Sequence, residues 1–376
     1  MRSIRRHPFR SFAALLAFAV LFAAAWSAEV HFLLRAGWSE ARILLARRPI
    51  RDLLDDPATT PARKAQLGMV LAARTFAARE LGLRAGDTYT TFSDVGDGPL
   101  LYVLSASPPD RLEAYRWRYP IVGSIPYKGF FDRDAARAEE RQLAAAGYDT
   151  YLREASAFST LGWFSDPLLS TALGDPEDLV STVIHEISHN TLWVPSAARF
   201  NESYANFVGM RGAEIFFLER GDRAAAERCA ALWRDEKRMG AFYTELAARL
   251  EALYASPLPR RELERRRDDL FARARAAMAG PLAHQLELYS GEAMSRRKLN
   301  NAVVVAQRIY RTGLDELDQV YAANGEDLRA SVAQIRRTVH QARRARLDDP
   351  FRALTQVRLA GRRGLMGAEG TARPAG

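Results

Sequence analysis

VIHEISHNTLWVPSAARFNES, residues 183–203, is the stretch from which the rest of the chain is read. Just upstream, Asp175-Pro176-Glu177-Asp178 has the chemistry of a helix start. Asp175 can cap, Pro176 takes the first helical position where no N–H is needed, and the acidic side chains face the positive helix end. In the helix that follows, His185 and His189 are four residues apart and share one face. Their imidazole nitrogens can therefore converge on one cation, at about 2.0–2.1 Å for zinc. Glu186 then stands beside the cation rather than on it, which suits a general base that takes a proton from water. Pro195-Ser196 breaks the helix, and the midpoint between His189 and Glu202 falls between those two residues. If the chain folds back there as an antiparallel helix pair, Glu202 comes level with His189 and Asn206 with His185. Glu214 lies roughly 18 Å further along, at about 1.5 Å per residue, too far to coordinate. Glu202 is the expected third ligand and Asn206 its polar neighbour. Ala205, Gly209 and Gly212 would let the second helix approach the first closely.

The chain has 376 residues, 48% of them hydrophobic, enough to bury a large core, and residues 29–349 are read as one domain. A single cysteine, Cys229, excludes an internal disulfide and any Cys-based zinc cluster, so a metal site must use His, Asp and Glu. The net charge is +9, but the arginines are interleaved with acids, as in RRELERRRDD at residues 260–269, the pattern of a solvated helix face. With no one-sided basic run and no recognition module, nucleic acid is not an expected partner. At the N-terminus, Arg2, Arg5, Arg6 and Arg10 precede the uncharged run SFAALLAFAVLFAAAWSA, residues 11–28. Basic residues before an apolar run keep the start of a chain in the cytoplasm and send the remainder across the membrane. Residues 1–10 are thus a cytoplasmic basic segment, and 11–28 a signal anchor or a signal peptide cleaved near Ala23-Ala24-Ala25. The expected location is the inner membrane with the main domain in the periplasm, or the periplasm itself after cleavage.

Residues 38–55 and 61–81 have apolar positions at helical spacing. Between about residues 87 and 166, TYTTF, LLYVLSA, YPIVGSI and STLGWF are short β-branched or aromatic runs between Gly, Pro and Asp turns, the only region expected to supply a sheet. A helix over 133–146, stopped by Gly147, interrupts it. From Asp175 to about Leu347 helical periodicity prevails, broken at Pro195, Gly221, Pro257 with Pro259, and Gly280-Pro281. The expected class is α+β, a small β-sheet region followed by a mainly helical body. The tail, residues 350–376, lacks an apolar pattern and is expected to be disordered.

VIHEISHNTLWVPSAARFNESYANFVG resembles the core of the predicted aminopeptidase family of Gram-negative bacteria, whose members carry H-E-x-x-H followed by N-E-S. RWRYPIVGSIPYKGFF (116–131), AFSTLGWFSDPLLS (157–170), LNNA (299–302) and LLARRPIRDLL near the start carry the similarity from about residue 30 to residue 320. The resemblance implies a zincin-like metallopeptidase of the glutamate-zincin type, with His185, His189 and Glu202 as metal ligands and Glu186 as catalytic residue. The chain departs from many members in lacking a lipid-attachment cysteine before the first helix.

The reaction expected is zinc-dependent peptide hydrolysis in the cell envelope, with a peptide as substrate. Glu186 would take the proton of the attacking water and return it to the leaving amine. Tyr127, Tyr204 and His284 are candidates for a donor to the developing oxyanion. Aminopeptidase action needs a carboxylate facing the substrate's ammonium, for which Glu154 and Asp166 are candidates, flanking STLGWF as a substrate-pairing edge strand. The alternative is a membrane-tethered, non-enzymatic envelope protein with a structural metal site. Three ligands and an adjacent base, rather than four ligands, favour catalysis.

Overall fold

In the computed structural model, which describes residues 38, 41–96, 101–119, 123–155, 167–346 and 349–355, short strands and helices alternate first and helices alone follow. Strand β1 (Arg48–Pro49) runs straight into α1 (Ile50–Asp55). The continuous helix expected over 38–55 is therefore corrected: residues 41–45 are helical, but Pro49 biases Arg48 toward extended backbone, and the pair becomes a strand. Helix α2 (Pro61–Arg79) opens as its sequence directs, with Pro61 in the first turn and the Thr60 hydroxyl accepting from Arg63 N at 3.2 Å.

The strands that follow are β2 (Thr91–Ser93), β3 (Leu101–Ser107), β4 (Trp117–Tyr119), β5 (Gly123–Ile125) and β6 (Lys128–Phe130). Helix α3 (Arg133–Ala145), capped by Asp132 accepting from Ala135 N at 2.7 Å, leads to β7 (Asp149–Ala155), and β8 (Leu168–Leu169) closes the series. They form three small sheets, ordered β1-β2-β8, β6-β3-β7 and β4-β5. The α+β class holds, but the single sheet region is corrected in two respects: among the described residues there are three sheets, and β1 and β8 lie outside residues 87–166. Strands of two residues are too short to carry an alternation. The β3–β7 ladder is the longest, antiparallel from Leu101↔Ala155 to Ser107↔Asp149. Helix α3 covers it, packing Ala136 and Leu143 against Leu104, Ala106 and Phe130.

The helical body comprises α4 (Pro176–Thr191), α5 (Ala198–Glu219), α6 (Arg223–Tyr254) and α7 (Arg260–Ala277), then a π-helical turn (Met278–Leu282). After it come α8 (Gly291–Ser295), α9 (Asn301–Tyr310), α10 (Leu314–Ala323) and α11 (Leu328–Arg344). The expected breaks at Pro195, Gly221 and Pro257 with Pro259 are present; the break expected at Gly280-Pro281 is corrected, since both residues lie within the π-helical turn and the helix ends only after Leu282. The chain also turns at Gly313 and Gly325, both at positive φ. Helices α4 and α5 lie at the centre, with Val183, Ile184, Ile187, Phe200, Phe207 and Phe216 packed against Val70 of α2 and Ile335 of α11. Each such side chain contributes about 1.5–3 kcal/mol when fully buried.

The expectation of disorder from Pro350 is corrected for residues 350–355, which are helical. Asp349 accepts from Phe351 N at 3.0 Å, Leu354 joins the core, and Phe351 meets the Phe200 ring at 5.3 Å. A core already built by other helices supplies what the local pattern lacks. Residues 356–376, and the segments 1–10 and 11–28, lie outside the described residues. Among the described residues no helix is long and apolar enough to cross a membrane.

Candidate metal centre

Helix α4 begins at Pro176 as expected, but Asp175, at the cap position, makes no capping hydrogen bond through its side chain. Glu177 instead accepts from Arg228 Nε at 2.7 Å and ties α4 to α6. After Thr191 the chain reverses, with Ser196 at φ 64°. A buried side chain holds this bend: Asn201 Oδ1 accepts from Val194 N at 2.9 Å, and Asn201 Nδ2 donates to Val194 O at 2.8 Å. Asn201 was not singled out from the sequence, although it is the first residue of the N-E-S triplet.

The antiparallel pair is close because α5 presents glycine to α4. A Cβ on Gly209 would lie 2.7 Å from Ser181 O and 3.1 Å from the His185 Cβ. Glu202 is thereby brought to both histidines: its Oε2 is 3.4 Å from His185 Nε2 and 3.8 Å from His189 Nε2. Donor atoms of the three residues lie within 4.8 Å of one another. Two imidazole nitrogens and one carboxylate oxygen are donor types that suit zinc; the His185–Glu202 separation matches the roughly 3.3–3.4 Å between tetrahedral ligands with bonds of about 2.0–2.1 Å, and His189 stands slightly wider. Asn206 is level with His185, as the reflection about the bend requires; it hydrogen-bonds that imidazole and donates to Tyr310 O at 3.1 Å. Glu214 is occupied elsewhere, pairing with Arg211 at 2.9 Å.

The electrostatics separate the two histidines. Burial disfavours the charged form of both. For His185 the Glu202 hydrogen bond and the charges of Glu186 and Glu202 outweigh it, and its pKa is raised. For His189 burial and then the charge of His185 dominate, lowering its pKa to about 4. Burial opposes ionisation of Glu202, but the His185 bond and the surrounding positive charge hold its carboxyl below the ordinary range. His189 Nδ1 is buried without a hydrogen-bond partner among the described residues, and its ring meets Trp193 edge-on at 5.4 Å.

Among the described residues three further side chains stand near the triad, of which only Tyr127 was expected. It is 38% exposed, and burial of its hydroxyl together with the charge of Glu202 raises its pKa. Tyr310, at the end of α9, and Arg153, on β7, carry no local sequence signal. Arg153 Nη2 donates to the Tyr310 hydroxyl at 3.4 Å. Burial, and then the charges of Glu202 and Glu186 working against Arg153, push the Tyr310 phenol to about 12. The LNNA stretch aims α9 here. Asn300 caps the helix through Val303 N at 3.1 Å and donates to Thr150 O at 3.1 Å, while Asn301 N donates to Asp149 at 2.9 Å. Both bonds fasten α9 to β7, the strand that carries Arg153.

The other candidates are not brought to the triad. Tyr204 is fully buried and stacks on Phe200 at 6.0 Å; two positions beyond Glu202, it points into the core. His284 is exposed on a turn whose preceding π-helical segment packs on α7 and α8. Glu154 is exposed and, next to Arg153 on β7, faces the opposite side of the sheet. Asp166 and the STLGWF stretch lie outside the described residues.

A model of the family described as "Putative aminopeptidase" matches residues 31–348. No curated protein and no solved structure matches the chain.

Proposed function

We propose, from the premise that this chain belongs to the "Putative aminopeptidase" family, that it hydrolyses peptide bonds at the His185, His189 and Glu202 centre, with zinc as cofactor. The observation that carries the reading is the approach of Glu202 to both imidazoles, at 3.4 and 3.8 Å, with Glu186 adjoining. A zinc ion held there would supply Lewis acidity, polarising the scissile carbonyl and making water a better acid. Glu186 takes the proton of the attacking water and delivers it to the leaving amine. Tyr310 accepts from Arg153, which has no acceptor of its own, so the phenolic proton is left for the oxygen on which negative charge develops. With its pKa near 12, that phenol stays protonated across the neutral range.

A structural zinc is normally closed by four protein ligands. Among the described residues the group holds three, with side chains 15–21% exposed, which supports an open site. The deciding experiment is Glu186→Gln with zinc content and peptide hydrolysis measured on the same preparation. Zinc should remain near one per chain while turnover falls by about 10²–10⁴-fold; full turnover in the variant would sink the assignment. Residence in the envelope through residues 11–28 belongs to the same proposal, and recovery of the full chain in a cytoplasmic fraction would refute it.

A further inference from the structure

Beside the triad lies a cavity of about 280 Å³ whose wall includes Tyr151, Arg153, Asn206, Glu236, Tyr310 and Arg311. Asn206 joins the two spaces, since it touches His185 and also bonds to Tyr310 O. The charges in this wall are unequally committed. Glu236 is 3% exposed and already committed through Oε1, which accepts from Arg311 Nη2 at 2.6 Å and from the Tyr289 hydroxyl at 2.5 Å. Arg153 has no ion pair among the described residues; it touches the Tyr310 hydroxyl at 3.4 Å and stands 5.9 Å from the centre of that ring. A second donor, Arg311 Nε, is buried without a hydrogen-bond partner among the described residues.

Glu202 feels the charge of Arg153 but is engaged by the two histidines; a half-buried guanidinium without a directly paired acid is costly, and its planar fork matches a carboxylate. A substrate ammonium, by contrast, would meet in this wall a carboxylate, Glu236, whose charge is already paired with Arg311. Resting on the peptidase reading and deepening it, we propose that the cavity receives a carboxylate of the substrate, with Arg153 as its anchor. Its volume lies near the lower end of ligand pockets, which suits the end of a short peptide rather than a long chain. The substrate class is then di- and tripeptides bearing a free C-terminal carboxylate. An acidic side chain presents the same chemistry from another source.

The test uses the full-length, zinc-loaded chain carrying Glu186→Gln and measures calorimetric binding of tri-alanine, tri-alanine amide and Ala-Glu-Ala amide. Tri-alanine should bind at least tenfold more tightly than its amide. Arg153→Ala should abolish that preference, and Arg153→Lys should retain part of it. Ala-Glu-Ala amide matching tri-alanine would identify the side chain as the source, and weak binding would identify the C-terminus. Equal binding of the acid and the amide, which needs no Arg153 variant to observe, overturns the proposal, as does a preference that survives Arg153→Ala. Hydrolysis of tri-alanine by the zinc-loaded wild type is measured in parallel. Carboxylate-selective binding without hydrolysis would sink the peptidase reading and leave the anion site standing.

Discussion

Glycine in the middle of a helix is unfavourable by about 1 kcal/mol relative to alanine, yet Gly209 sits in the interior of α5. The substitution Gly209→Ala therefore sets helix propensity against packing. The new Cβ would meet Ser181 O at 2.7 Å, about 0.7 Å inside the 3.4 Å at which ordinary contact begins. That oxygen belongs to the α4 backbone, and the next atom, His185 Cβ at 3.1 Å, belongs to a proposed ligand and is fixed to that backbone, so neither can swing aside. Helix α5 must back away, at an overpacking cost of about 1–3 kcal/mol. Offset by the propensity gain, the metal-free protein should lose about 0–2 kcal/mol in a denaturant titration. Zinc held at the proposed site would feel the displacement more directly, because the 3.4 and 3.8 Å separations widen together. Competition with a chromophoric chelator should show at least a tenfold loss of affinity, about 1.4 kcal/mol. Gly212→Ala is the control: its Cβ meets terminal methyls of Ile184 and Leu81 at 3.0 Å, which can rotate away, so zinc affinity should stay within about twofold. If Gly209→Ala also holds zinc as tightly as the wild type, the close approach of α4 and α5 does not set the site.

Tyr310→Phe should lower kcat by about 10–100-fold with KM and zinc content nearly unchanged, since the hydroxyl is engaged only as charge develops; an unaltered kcat would remove Tyr310 from the reaction. Asp235 is fully buried and accepts from the backbone N–H groups of Glu287, Leu288 and Tyr289 at 2.8–2.9 Å. Asp235→Ala should cost about 3–5 kcal/mol, read by chemical denaturation, and a loss below about 1 kcal/mol would contradict this. Asp318 pairs with Lys237 at 2.6 Å and Arg211 at 2.8 Å; these cations outweigh burial and hold its carboxyl below the reference 3.8. A depressed carboxylate contributes stability that is complete above the unfolded pKa and lost as pH falls through the folded one. Asp318→Asn should thus be less stable than wild type by about 1–3 kcal/mol at pH 7, with the gap closing as pH drops below about 4. A gap independent of pH would show that the pair contributes through packing alone.

The residues near the bend show what a chain discloses locally. His185 and His189 could be placed on one face because helical periodicity is a property of a few consecutive residues. Glu202 could be assigned because Pro195 marks where the helix must stop, and a reversal there is a simple reflection. The same locality explains the helix boundaries at Gly221 and Pro257. It also explains the failures: β1 is two residues long, and residues 350–355 are ordered by a core assembled from distant helices. Asp175 occupies its predicted position without making the predicted bond, because a cap depends on side-chain geometry and not only on residue type.

What a single sequence determined here is the set of proposed ligands and the proposed base, all held within one helix, one turn and the helix that returns. Only the tertiary structure decided what faces them. Arg153 and Tyr310 are 157 positions apart and meet because Asn300 and Asn301 fasten α9 to β7. Such a meeting is set by packing between distant segments, which leaves no periodic mark on either one.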